Sequence, residues 1–239
     1  MNEKEVQLLD ELKGLRKDFR AFCSRISSDL HGSLRNIGGF VSLIEGHSTI
    51  EFDDKVKRYL SFVKEGAEKA ETLIGALTEY SGLLTEDKKL TTISLEEPLN
   101  LALSDIGPLL RERHGFVQTK LCPVEIFGDV GLLRKAFGYI LDNAIIYSRT
   151  APHIDIKFEK KNAMYLISIS DNGIGIPDDY HQKVFEPFER LHPAEYFSGI
   201  GLGLSIVKRI INLHRGRIWI ENNEIGYGTT VFIVFPLRA

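Results

Sequence analysis

The sequence predicts an α+β protein: a long antiparallel helical hairpin over residues 1–87, then a sandwich with helices on one face of a mixed sheet over residues 88–239. Three observations lead there. Apolar residues recur at steps of three and four through the first third of the chain. A charged stretch, LTEDKKLTT, then interrupts the pattern. Beyond it, strand-like alternation and helical spacing are mixed without regular βαβ order.

The first stripe runs Leu8, Leu12, Leu15, Phe19, Phe22, Ile26, Leu30, Leu34, Ile37, Val41 and Ile44. After GHSTIE it resumes from Phe52 through Val56, Tyr59, Val63, Ala67, Ala70, Leu73, Leu77 and Tyr80 to Leu84. Two such helices joined by a short polar turn form an antiparallel hairpin. One hairpin has too little to pack against, and two make a four-helix bundle, so a homodimer is expected. The alternative is packing of the hairpin on the chain's own second half.

In the second half, SLEEPLNLALSDIGPLLRERHG reads as a helix opened by a capping box, Ser94 to Glu97. VEIF is a short strand, and Asp129 is placed to cap the apolar helix VGLLRKAFGYILDNAIIYS. HIDIKFEKK, AMYLISIS, RIWIEN and TTVFIVFPL read as strands, with the helix GLSIVKRIINLH among them.

The composition excludes some classes. A net charge of −3 leaves no electrostatic footprint for nucleic acid. No apolar run is long enough to cross a bilayer, and MNEKEVQLLDELKG is too charged for a signal peptide. Cys23 and Cys122 lack metal-ligand spacing and read as free thiols in a reducing cytoplasm.

Four segments of the second half could carry chemistry. DNGIGIP follows a buried strand directly, so the Asp171 carboxylate can take a ligand amine while glycine backbone approaches closely. SGIGLGLSIVKRI puts glycines at a helix entry, where free amides favour phosphate. GYGTT joins two strands. Asn143 and Ser148 interrupt an apolar helix, and an asparagine oxygen is a suitable hard ligand for magnesium. Taken singly, each reads better as a plain turn, a cap, a hairpin or a surface asparagine.

In this order and spacing the segments resemble the Bergerat-type ATP-binding domain of histidine kinases, type II topoisomerases, mismatch-repair ATPases and heat-shock chaperones. FEPFER is similar to the phenylalanine box of the histidine-kinase branch, and GIGLGLSIVKRIINLHRGRIWIEN to its second glycine box with the following helix and strand. The resemblance implies ATP and Mg2+ as cofactors. Asp171 would accept the adenine amino group, with Gly173 and Gly175 shaping that wall. Asn143 would ligate magnesium, Tyr147 would lie near the adenine or ribose, and Thr229 would close the far side of the base. Gly199, Gly201, Leu202 and Gly203 would form the phosphate-side turn under a lid, RLHPAEYFS, anchored at its base by Phe185 and Phe188. Two departures bear on affinity or turnover: Tyr139 stands where the family commonly has another asparagine, and Ile146 where it has Lys or Arg. Arg190 or His192 could substitute for the missing cation.

The hairpin resembles the dimerisation and phosphotransfer domain of that family, in its phytochrome-like subgroup. SSDLHGSLRNIGGF matches the subgroup at Ser27, Asp29, Leu30, Leu34, Arg35, Asn36, Ile37, Gly39 and Phe40. Ser28 stands where the phosphoacceptor histidine is expected. Ser33 replaces a helix-bending proline, and Gly32 occupies the position used in some subfamilies for phosphatase action. Imidazole offers a lone pair near neutral pH, whereas a serine hydroxyl needs a base. Asp29 is adjacent, but its side chain points about 100° further round the helix.

Four readings of the acceptor stay open: Ser28 introduced by design to trap a kinase in one state, a natural kinase-like protein that signals by shape, transfer to His31, and phosphorylation of Ser28 itself. The implied partner is a response-regulator receiver domain docking on the hairpin. The rival functions are a non-catalytic ATP-binding signalling scaffold and an anti-sigma-like serine kinase or switch.

Overall fold

A computed structural model describes residues 3–47, 52–83, 90–161, 164–191, 201–223 and 228–236. The chain divides into two compact units, Met1–Asp87 and Lys88–Ala239.

The first unit is two helices, α1 (Glu3–His47) and α2 (Asp54–Gly82). Asp53 starts α2, its carboxylate accepting the Val56 amide at 2.7 Å, which satisfies one of the free N–H groups of the first turn. With Ser33 in place of a proline, α1 runs through that position unbroken, and the Ser33 hydroxyl donates to the Asp29 carbonyl at 3.1 Å. The two helices meet along a narrow seam. Cys23, Ser27 and Val41 are buried on α1, and Ala67 and Ser81 on α2. The Ser27 and Thr78 hydroxyls lie 2.6 Å apart across that seam. Most of the large side chains of the periodic stripe remain exposed, among them Leu8, Leu12, Leu15, Phe19, Phe22, Ile26 and Leu30.

The second unit is a two-layer sandwich. Its main sheet has the order β2 (Phe116–Lys120), β4 (His153–Lys161), β5 (Met164–Asp171), β7 (Thr229–Pro236), β6 (Arg217–Asn222). Only β2 and β4 pair in parallel, so the sheet is mixed. Along β7, buried Thr229, Val231, Ile233 and Phe235 alternate with half-buried residues, which places one sheet face toward the helices. On the other face the Trp219 and Phe232 rings stack at 5.2 Å. The covering helices are α3 (Glu96–Glu112), α4 (Val130–Ile146) and α5 (Gly203–Leu213). Leu133, Phe137, Leu141, Ile206, Ile210, Ile156 and Ile167 are fully or almost fully buried and form the centre of the core.

Asp129 caps α4 as expected, accepting the Leu132 amide at 2.9 Å. The expected capping box at Ser94 does not form. Thr91–Ser94 is instead strand β1, paired antiparallel with β3 (Glu125–Gly128), and α3 begins at Glu96 with no side-chain cap. Strand pairing buries Ile93 and takes Ser94 out of reach of the helix. Among the described residues no helix is long and apolar enough to cross a membrane.

Candidate nucleotide site

Asp171 ends β5, and the site is built around it. Its Oδ1 accepts the Gly173 amide at 2.7 Å and the Thr229 amide at 3.2 Å, which ties the loop after β5 to the start of β7. Among the described residues its other carboxylate oxygen receives no hydrogen bond from the protein. Burial pushes the carboxyl up to about 6, against the lowering effect of those two amides. A half-buried acid held toward neutrality with one oxygen free to accept suits the amino edge of a flat base.

Glycine is required where strands crowd this carboxylate. At Gly228, φ is +96°, and an added Cβ would lie 1.9 Å from the Asp171 carbonyl oxygen. A Cβ at Gly173 would lie 2.8 Å from Asp171 Oδ1 and 3.1 Å from the Tyr147 carbonyl oxygen. Gly175, at φ +76°, continues the same turn.

Helix α4 supplies a second wall. Tyr139, Asn143 and Tyr147 follow one another at i, i+4 and i+8 and so share a helix face. Tyr147 closes the helix, and its carbonyl accepts the Ile174 amide at 3.2 Å. Asn143 is half-buried, and among the described residues its side-chain amide makes no hydrogen bond within the protein. Ser148 and Asn172 fasten the helix end to the loop: the Ser148 hydroxyl reaches Asn172 Oδ1 at 3.2 Å, and the same oxygen accepts the His153 amide at 2.8 Å.

The third wall is the start of α5. Gly201, at φ +72°, passes so close to the preceding loop that a Cβ would lie 2.7 Å from the Glu189 carbonyl. Its own carbonyl accepts the Phe188 amide at 2.8 Å. Leu202 occupies the N-cap without a side-chain cap bond, and its side chain is buried, so it offers a ligand only backbone. Gly203 opens the helix beside Tyr139, whose Cδ1 lies 3.4 Å from where a Cβ would stand. Among the described residues no side chain caps this helix start, and such a start is a ready anion site. Phe185 is buried under Lys208, whose ammonium sits 5.6 Å from the ring centre, while Phe188 is exposed at φ +68°. Gly199, His192 and most of the expected lid lie outside the described residues, as does Gly226.

Asp171, Gly173, Gly175, Thr229 and Tyr147 therefore meet around one loop, with Asn143 one turn back on α4. Phe188, Gly201, Leu202 and Gly203 gather at the α5 end. Sequence reading missed Asn222 and Asn223. The Asn223 amide donates to the Asp171 carbonyl at 2.7 Å, and Asn222 Oδ1 accepts the Ile176 amide at 3.2 Å while its Nδ2 donates to Asp178 at 2.9 Å. The signal was two adjacent asparagines at the end of a strand.

Of the hairpin candidates, Ser28 and Asp29 are exposed and His31 is half-buried. The His31 Nδ1 lies 2.8 Å from the Ser27 carbonyl.

Residues 128–239 match the family described as Histidine kinase-, DNA gyrase B-, and HSP90-like ATPase. Cyanobacterial phytochrome A from Nostoc sp. (strain PCC 7120) is 31% identical over 233 residues, which is 97% of this chain and 30% of that protein. The solved mycobacterial sensor histidine kinase MprB covers 62% of this chain and 98% of its own, with a TM-score of 0.55 and 27% identity. The histidine kinase ThkA, solved in complex with response regulator protein TrrA, superposes with a TM-score of 0.64 over 95% of this chain and 66% of its own, at 21% identity, and shows the shared fold. The second unit thus has the ATPase fold of that family. The chain as a whole resembles the catalytic core of sensor histidine kinases. It spans less than a third of the phytochrome's length.

Proposed function

We propose that residues 88–239 bind Mg-ATP and that the chain works in two-component phosphorelay signalling through a hairpin domain over residues 1–87. The observation that carries the reading is the Asp171 carboxylate, half-buried, raised to about 6 and with one oxygen left to accept. It takes the adenine amino group, with Tyr147 and Thr229 bordering the base and Gly173 and Gly175 allowing close approach. The uncapped start of α5, at Gly201 to Gly203, takes the phosphates. Among the described residues no group of three or more His, Cys, Asp or Glu could hold a metal alone. Magnesium would therefore be shared between Asn143 Oδ1 and the phosphates, a common arrangement for an ion that keeps most of its own waters.

The partners in this reading are a second copy of the chain, through the exposed stripe of α1, and a response-regulator receiver domain on the hairpin. The fold shared with ThkA, itself solved with a response regulator, supports the second partner. Two free thiols suit a reducing, cytoplasmic setting. The exposed Ser28 in the acceptor register, with Tyr139 and Ile146 at the phosphate side, favours the ATP-binding scaffold as the second reading.

Calorimetry with saturating magnesium tests the pocket. The chain should take up ATP, and Asp171→Asn should weaken it by roughly 10–100-fold, the loss of one hydrogen bond to a charged acceptor. Absence of any uptake by the parent chain would refute the assignment.

A further inference from the structure

The fold fixes the tautomer of one imidazole on the hairpin. His31 Nδ1 lies 2.8 Å from the Ser27 carbonyl oxygen one helical turn earlier. A carbonyl can only accept, so in the neutral ring Nδ1 carries the proton and Nε2 carries the lone pair. A ring oriented through one nitrogen, with the other left as the nucleophile, is the arrangement that phosphoryl transfer to histidine needs.

Ser28 lacks any comparable preparation. Its hydroxyl must shed a proton to attack, and among the described residues no side-chain base is hydrogen-bonded to it. His31 itself is half-buried, and the residue after it is exposed. A Cβ added at Gly32 would meet nothing within 4 Å. Arg35, exposed four residues on, shares the helix face of His31 and can pair with a phosphoryl group there.

We infer that His31 Nε2 is the phosphoacceptor of this chain, displaced by three residues from the Ser28 register. The inference rests on the ATP reading above. The Nε2–P bond forms as the bond between the γ-phosphorus and its bridging oxygen to the β-phosphate breaks, and ADP leaves with that oxygen. The positive charge that develops on the ring is relieved through Nδ1, whose proton is shared with the Ser27 carbonyl and then lost to water.

Two measurements test it on the full chain. Two-bond proton–nitrogen correlation spectra should show His31 as the Nδ1–H tautomer without any nucleotide. Incubation with γ-labelled Mg-ATP should give acid-labile, base-stable label that 31P spectra assign to Nε2-phosphohistidine. The label should vanish in His31→Ala and persist in Ser28→Ala. Label that survives His31→Ala, acid-stable label on Ser28, or no label from a chain that calorimetry shows to be ATP-loaded would each overturn the inference while leaving the pocket standing. No ATP uptake at all overturns both.

Discussion

His214 Nε2 accepts the backbone amide of Asp129 at 2.9 Å, while its Nδ1 donates to the Ile210 carbonyl at 2.7 Å. The ring is buried between the end of α5 and the start of α4, and both nitrogens are used. It joins the ends of these two helices that lie away from the nucleotide, so it fixes how their site-bearing ends face each other. This geometry admits only the neutral ring, and burial holds its affinity for a proton below that of a free histidine. The unfolded chain takes up that proton near pH 6.5 and the folded one does not, so stability is full above pH 6.5 and falls as the pH drops below it. Thermal melts between pH 7.5 and 5 should show this slope. His214→Phe should remove its share of the slope and cost about 1–3 kcal/mol at neutral pH, since the Asp129 amide loses its acceptor.

Asp171 has the opposite sign. Its folded carboxyl is raised to about 6 from an ordinary 3.8, so the native state gains protons relative to the unfolded chain in that window. Its contribution is fully present below pH 3.8 and is lost as the pH rises through 6. At neutral pH the half-buried charge costs the ligand-free protein on the order of 2–3 kcal/mol. Asp171→Asn keeps an oxygen for the Gly173 and Thr229 amides and removes the charge. It should therefore melt several degrees higher than the parent at pH 7.5, with no advantage at pH 3.5, while losing ATP affinity. A variant that is both weaker in binding and lower in melting temperature at pH 7.5 would remove this account.

Much of this site was legible because its chemistry is local. Asp171 sits directly after an apolar strand, Asp129 directly before an apolar helix, and the glycines fall at turns. What was not legible depended on distant pairing. Ser94 and Glu97 have capping-box spacing, but β1 pairs with β3 and the helix starts later. Strand β2 lies at a sheet edge with most side chains exposed, so it carries no alternating pattern, and only its parallel pairing with β4 makes it a strand. His214 looked like the end of a helix; its role appears only when Asp129, 85 residues away, comes within reach. Asn223 likewise gains its meaning from Asp171 across the sheet.

Two glycines should respond oppositely to alanine. Gly228 faces the Asp171 carbonyl at a distance no methyl group can occupy, and its φ of +96° is unfavourable for any side chain. Gly228→Ala should cost more than about 3 kcal/mol and abolish ATP binding, because the backbone that presents Asp171 must move. Gly138 lies within α4, and a Cβ there meets nothing within 4 Å. Gly138→Ala should stabilise by about 0.5–1 kcal/mol through helix propensity alone. Chemical denaturation of both variants beside the parent checks the pair.

The hairpin makes the last prediction. Its own seam buries small or polar residues, Cys23 and Ser27 with Val41, while Leu15, Phe19, Phe22 and Ile26 stand exposed. A run of large apolar side chains at helical spacing is stable in water only when another surface covers it. A second hairpin offers the same stripe, and a two-fold pairing of long helices easily exceeds the roughly 1,000 Å² of a specific interface. The parent chain should therefore sediment as a dimer at micromolar concentration. Replacing Phe19, Phe22 and Ile26 together by Glu buries like charges in that interface and should give monomers. The same variant should still take up ATP, because Asp171 and the α5 start belong to the other unit. A parent that sediments as a monomer at every concentration tested would leave the stripe without its second copy.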